Sequence, residues 1–194
     1  MNHLPNILSL FRLIISPVFF ILLISENSSL ILLAYILYIV GAISDYLDGL
    51  LARRYNAMTK FGNFFDPLAD KFLTSFAFVG FAVMQIIPTW MVIVVIFRDT
   101  FTTVIRIYQF ESKTGLITSQ FAKWKTFLQM IFIFGLLTLI LIFNLELINL
   151  SRDNYLNILS SPWIDYFMGF ITLISIWTLL DYAITVFKKP VNNK

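Results

Sequence analysis

Apolar runs of about twenty residues, separated by short polar breaks, follow one another along the chain. A bilayer core takes about 20 helical residues at ~1.5 Å each. The runs therefore predict six spanning helices, over 5–25, 30–52, 63–86, 88–110, 121–143 and 163–187. The breaks carry turn-forming residues: Glu26-Asn27-Ser28-Ser29, Tyr55 to Thr59, Pro88-Thr89, Lys113-Thr114-Gly115 and the polar run from Asn144 to Ser161. No repeat, low-complexity tract or soluble second domain interrupts the series. The expected fold class is all-α, a polytopic membrane protein with one domain over 1–194. Residues 4–25 have little positive charge before them and no small-residue cleavage pattern after them, so they read as a retained span rather than a signal peptide.

Composition agrees with this pattern. Of the 194 residues, 59% are hydrophobic and only 13% charged, against roughly 25% charged in soluble domains. Mean hydropathy is +0.83. The absence of cysteine rules out disulfides and thiolate metal sites, and a single histidine, His3, argues against a zinc site or a Ser/His/Asp triad. The net charge of +3 reads as juxtamembrane Lys and Arg meeting anionic lipid headgroups rather than nucleic acid.

Those cations are unevenly distributed. Arg53, Arg54 and Lys60 sit in the second connection. Arg106, Lys113, Lys123 and Lys125 surround the fourth, and Lys188, Lys189 and Lys194 are in the C-terminal tail. The other connections hold only Arg152. The positive-inside rule then places both termini and the second and fourth connections in the cytoplasm.

Four aspartates depart from the apolar pattern. Asp45 and Asp48 fall in the last turns of the second run, and Asp66 and Asp70 in the first turns of the third. Spacings of i, i+3 and i, i+4 put each pair on one helical face, and antiparallel neighbours would bring both pairs together on the cytoplasmic side. Clustered carboxylates repel each other unless cations intervene. An all-oxygen donor set favours hard divalent ions, and two metals are the usual reason for such a cluster where a phosphoryl group is transferred. Gly49 and Gly62 allow close approach beside these ligands, Ala52 leaves space on the same face, and Arg53 is suited to a phosphate. Arg98 and Asp99 lie deep in the fourth run. As sequence neighbours they are expected to point apart, each toward its own partner.

Asp45-x-x-Asp48-Gly49-x-x-Ala52-Arg53, then eight residues, then Gly62-x-x-x-Asp66-x-x-x-Asp70 resembles the CDP-alcohol phosphatidyltransferase signature at every fixed position. The six-span pattern and the length are similar to that family too. Asn6-x-x-Ser9-x-x-Arg12 resembles the N-terminal motif of the bacterial branch that makes phosphatidylglycerophosphate, with Ser in place of Thr. Arg98-Asp99, Arg106 and Gly115 to Gln129 also resemble that branch, although Ala122 stands where relatives often have Gly.

The resemblance implies a reaction in the cytoplasmic membrane of a bacterium: CDP-diacylglycerol and sn-glycerol 3-phosphate give phosphatidylglycerophosphate and CMP. It implies that Asp45, Asp48, Asp66 and Asp70 hold two Mg²⁺, with Mn²⁺ an alternative, and that Asp70 is also the general base. Asn6, Ser9, Gly49, Ala52, Arg53 and Gly62 would contact CDP-diacylglycerol. Arg106, Thr118, Ser119, Lys123 and Lys125 would meet the acceptor phosphate, though Arg106, Lys123 and Lys125 also fit a role as topology anchors. A homodimer is a further expectation. Other acceptors within the family (phosphatidylglycerol, serine, inositol phosphate) are the alternatives. A cation transporter is the rival outside it, disfavoured because residues 30–40 are apolar apart from two tyrosines.

Overall fold

Helices form where the apolar runs predict them. The computed structural model describes the backbone of residues 4–25, 27–55, 60–111, 120–146 and 151–188, and the side chains of 9–25, 27–44, 68–69, 71–105, 124–146 and 151–184. Its elements are α1 (Leu4–Leu23), α2 (Ser28–Tyr55), α3 (Lys60–Val83), α4 (Thr89–Glu111), α5 (Gln120–Asn144), α6 (Arg152–Leu159) and α7 (Pro162–Lys188). No strand occurs among the described residues. Two segments, Trp124–Asn144 in α5 and Arg152–Ile184 across α6 and α7, are long and apolar enough to cross a bilayer.

The ends of the helices differ from the expected spans for local reasons. The third run was expected to reach residue 86, but α3 stops at Val83. Ile86 N–H donates to the Phe81 carbonyl at 2.9 Å and Gln85 N–H to that of Ala82 at 3.0 Å, with Gln85 left-handed at φ 59°. This is a Schellman turn, and it folds Ile86 and Ile87 back into the core. Glycine usually marks such a stop, and here glutamine takes the position. At the same end of the bundle, Ser28 and Ser29 belong to α2 rather than to the preceding turn, because Asn27 Oδ1 accepts the Ser29 N–H at 2.9 Å and starts the helix. The polar run 144–161, expected to be a linker, contains α6. Its N-cap Ser151 accepts the Asn154 N–H, and its buried Tyr155 stacks on Phe143 of α5.

α1 packs against α2 and α3, α3 against α4, and α4 against α7; α5 contacts α2, α3 and α7. The core between them includes Phe19, Leu23, Ala34, Phe78, Phe81, Val95, Ile133, Ile140 and Ile171. Two glycines permit the closest approaches. A Cβ on Gly80 would lie 2.7 Å from Leu23 of α1, and one on Gly41 would lie 2.7 Å from Leu73 of α3. Small residues play this part where lipid-embedded helices pack.

The distribution of polarity is the reverse of a soluble fold. Phe97, Trp124, Leu173 and Trp177 are each at least 60% exposed, while Arg12, Lys125 and Gln129 are 1% exposed. Water would penalise both features. Lipid removes the first penalty, and the interior network described below offsets the second for Lys125 and Gln129. This is the solvation pattern of a membrane protein.

Candidate functional site

The four aspartates of the motif lie within α2 and α3, with their side chains outside the described residues. Both helices extend beyond the expected spans toward the connection between them: α2 continues to Tyr55 and α3 starts at Lys60. At ~1.5 Å per residue, Asp45 and Asp70 sit about 15 Å from those ends, and Asp48 and Asp66 about 9–11 Å. The aspartates therefore come in two matched levels, two to three turns inside their helices rather than at the tips.

One turn farther from that connection, the two helices touch. The Gly41–Leu73 approach falls four residues before Asp45 and three after Asp70, and Ile15 of α1 lies 3.3 Å from the same Gly41 Cβ position. At this depth a narrow cleft of about 10 Å³ is lined by Arg12, Tyr38, Gly41, Ala42, Leu73, Thr74 and Met130. That is room for roughly one water molecule. Ser9, Arg12 and Ser16 follow one another at i, i+3 and i+7 on the buried face of α1, so the polar side of α1 is turned inward toward α2 and α3.

A second polar centre is fully described. Asp99 of α4 is 4% exposed. Its Oδ1 accepts from Arg98 Nη1 at 3.0 Å and from Lys125 Nζ of α5, and its Oδ2 accepts from Gln129 Nε2 at 3.2 Å. Arg98 Nε donates to Thr178 Oγ1 of α7 at 3.0 Å, and that hydroxyl in turn donates to the Ile174 carbonyl at 2.8 Å. The Asp99 carboxylate thus joins α4 to α5, and Arg98 carries the network on to α7. The expectation that Arg98 and Asp99 point apart is overturned: their Cβ atoms diverge, but the Arg98 side chain is long enough to curl back to its neighbour while its Nε reaches α7.

Of the other expected site residues, Ser9 and Lys125 have described side chains, and both are buried. Lys125 is no interfacial anchor, since it lies inside the bundle against Asp99. Asn6, Gly49, Ala52, Arg53, Gly62, Arg106 and Lys123 fall in helices whose side chains at those positions are outside the described residues, and Thr118 and Ser119 lie outside them altogether. Gln129 and Thr178 had no assigned role from sequence. Gln129 stands four residues after Lys125, on the same face of α5, and that spacing was the available signal. Among the described residues no group of three or more His, Cys, Asp or Glu could hold a metal.

Comparison with known proteins adds the following. The family model described as CDP-alcohol phosphatidyltransferase matches residues 2–177. A probable phosphatidylglycerophosphate synthase of Mycobacterium tuberculosis is 36% identical over 131 residues, 66% of this chain and 62% of that protein. The CDP-diacylglycerol–glycerol-3-phosphate 3-phosphatidyltransferase of Bacillus subtilis is 34% identical over 149 residues, covering 71% of this chain and 77% of the relative. The protein of the same name from Mycoplasma genitalium is 30% identical over 169 residues, 84% and 69% of the two chains.

Proposed function

The chain belongs to the CDP-alcohol phosphatidyltransferase family, and from that premise we propose that it moves the phosphatidyl group of CDP-diacylglycerol onto sn-glycerol 3-phosphate, releasing CMP. The names of the bacterial relatives support this acceptor over serine, inositol phosphate or phosphatidylglycerol. The observation that best supports the reading is the contact of Leu73 of α3 with Gly41 of α2, one turn from Asp70 and Asp45 in sequence, next to both arms of the motif.

In this reading Asp45, Asp48, Asp66 and Asp70 hold two Mg²⁺, or Mn²⁺ in its place; matched levels on neighbouring helices and an all-oxygen donor set suit hard divalent ions. Bound there, such ions would neutralise negative charge on the pyrophosphate and the departing nucleotide. Asp70 takes the proton from the acceptor hydroxyl. That oxygen forms its bond to the phosphorus bearing diacylglycerol, and the bond from this phosphorus to the CMP oxygen breaks. Arg53, Gly49, Ala52, Gly62, Asn6 and Ser9 bind and orient CDP-diacylglycerol. Arg106, Thr118, Ser119, Lys123 and Lys125 serve the acceptor phosphate.

The six long helices would each cross the bacterial cytoplasmic membrane, with both termini inside, because basic residues concentrate at one end of the bundle. The lipid tail of one substrate and the cytosolic second substrate can then meet at one interface. A homodimer completes the proposal. The test is CMP release by the purified full-length protein, supplied with CDP-diacylglycerol, Mg²⁺ and a panel of acceptors. Glycerol 3-phosphate is expected to give the highest rate; a faster reaction with inositol phosphate or phosphatidylglycerol would overturn the acceptor assignment.

A further inference from the structure

We propose that Asp99 is a positioning residue for the acceptor's phosphate, holding Lys125 and Arg98 ready as an organised pair of cations between α4, α5 and α7. This rests on the reading that the acceptor carries a phosphate.

The geometry assigns Asp99 this part. All three of its described donors come from the protein: Arg98 and Lys125 on Oδ1 and Gln129 on Oδ2. A carboxylate so occupied is poorly placed to take a proton or a metal, and its effect passes through the groups it holds. Those groups are costly to keep otherwise. Among the described residues, Arg98 and Lys125 together bring two positive charges to the single carboxylate of Asp99, and all three are at most 8% exposed. A surplus cation inside a lipid-embedded bundle is unfavourable unless an anion can reach it. A phosphate monoester, carrying about −1.5 to −2 near neutral pH, answers that surplus. Arg98 is further fixed by Thr178 and Lys125 by the Asp99 bridge, so neither side chain must be ordered when the anion arrives.

Depth agrees as well. Asp99 lies about 18 Å from the end of α4, and Asp70 about 15 Å from the start of α3. α3 packs against both α4 and α5, and Met130, next to Gln129, lines the cleft together with Thr74, four residues after Asp70. The cation cluster and the end of the motif are therefore neighbours.

Steady-state CMP release by the full-length enzyme in lipid nanodiscs, with each substrate varied in turn, tests the idea. Asp99→Asn is expected to raise KM for glycerol 3-phosphate about tenfold or more while KM for CDP-diacylglycerol stays within about twofold. Asp99→Glu, which restores the charge, should recover much of the loss. In a Lys125→Gln background, Asp99→Asn should add little. Equal increases in both KM values, a fall in kcat alone, or fully multiplicative effects of the two substitutions would overturn the proposal. Should Asp99→Asn fail to fold, Gln129→Leu removes one donor and leaves the ion pairs: a rise of about threefold in KM for glycerol 3-phosphate alone supports the proposal, and an unchanged value overturns it. If the wild type used glycerol as readily as glycerol 3-phosphate, the phosphorylated-acceptor reading would fall first. If the wild type requires the phosphate but Asp99→Asn leaves its KM unchanged, only the role of Asp99 falls.

Discussion

Two groups of aspartates are set into the same apolar chain, and they differ in how they were assembled. Asp45, Asp48, Asp66 and Asp70 lie on consecutive helices, within 26 positions of sequence, at spacings fixed by helical periodicity. Asp99 is joined to Lys125 and Gln129 on α5 and, through Arg98, to Thr178 on α7, across separations of 26, 30 and 80 residues. The second carboxylate has its cations built in, whereas the first four are proposed to take theirs from solution. A carboxylate matched by cations of the fold is bound into the architecture, and carboxylates awaiting external cations can change partners during a reaction.

Substitutions should separate the two groups. The largest effect is expected on chemistry at the first. Asp70→Asn removes the proposed base and should lower CMP release by about 10²–10⁴-fold while leaving thermal unfolding in detergent little changed; near-normal turnover would sink the base assignment. The largest effect on stability belongs to the second group. Asp99→Leu leaves Arg98 and Lys125 buried without their carboxylate and should cost about 3–5 kcal/mol, read as a lowered unfolding midpoint. A milder contrast comes from Asp48→Asn. Without metal it relieves like-charge repulsion, so the midpoint should hold or rise. The wild type should gain roughly 2–3 kcal/mol from Mg²⁺ at about a hundredfold excess over Kd, and the variant should lose most of that gain. Equal Mg²⁺ stabilisation of both proteins would remove Asp48 from the metal site. The smallest effect is Thr178→Val, which takes away one acceptor from Arg98 and should cost about 1 kcal/mol; a loss as large as that of Asp99→Leu would mean the cluster is organised from α7 instead.

Much of the fold was legible in the sequence because it depends on neighbours along the chain. The apolar runs gave the long helices, and their boundaries moved by no more than three residues. The errors fell where short-range hydrogen bonds override composition: glutamine in the left-handed turn after α3, and a serine cap that starts α6 inside a polar run. The helical setting of the motif aspartates was also legible, since all four positions fall within α2 and α3. Arg98 and Asp99 were misread because helical spacing describes where Cβ atoms point and not how far a guanidinium can reach.

By itself, then, the sequence determined the long helices, the membrane character and the helical setting of the four motif aspartates, all of which follow from periodicity and the cost of placing charge in lipid. Only the tertiary structure decided that the Leu73 side chain of α3 packs on Gly41 of α2, and that Lys125 turns inward to Asp99. A lysine near a helix end reads the same in sequence whether it reaches for lipid headgroups or for a buried carboxylate. The choice depends on which helix packs alongside, and that is settled by the whole bundle.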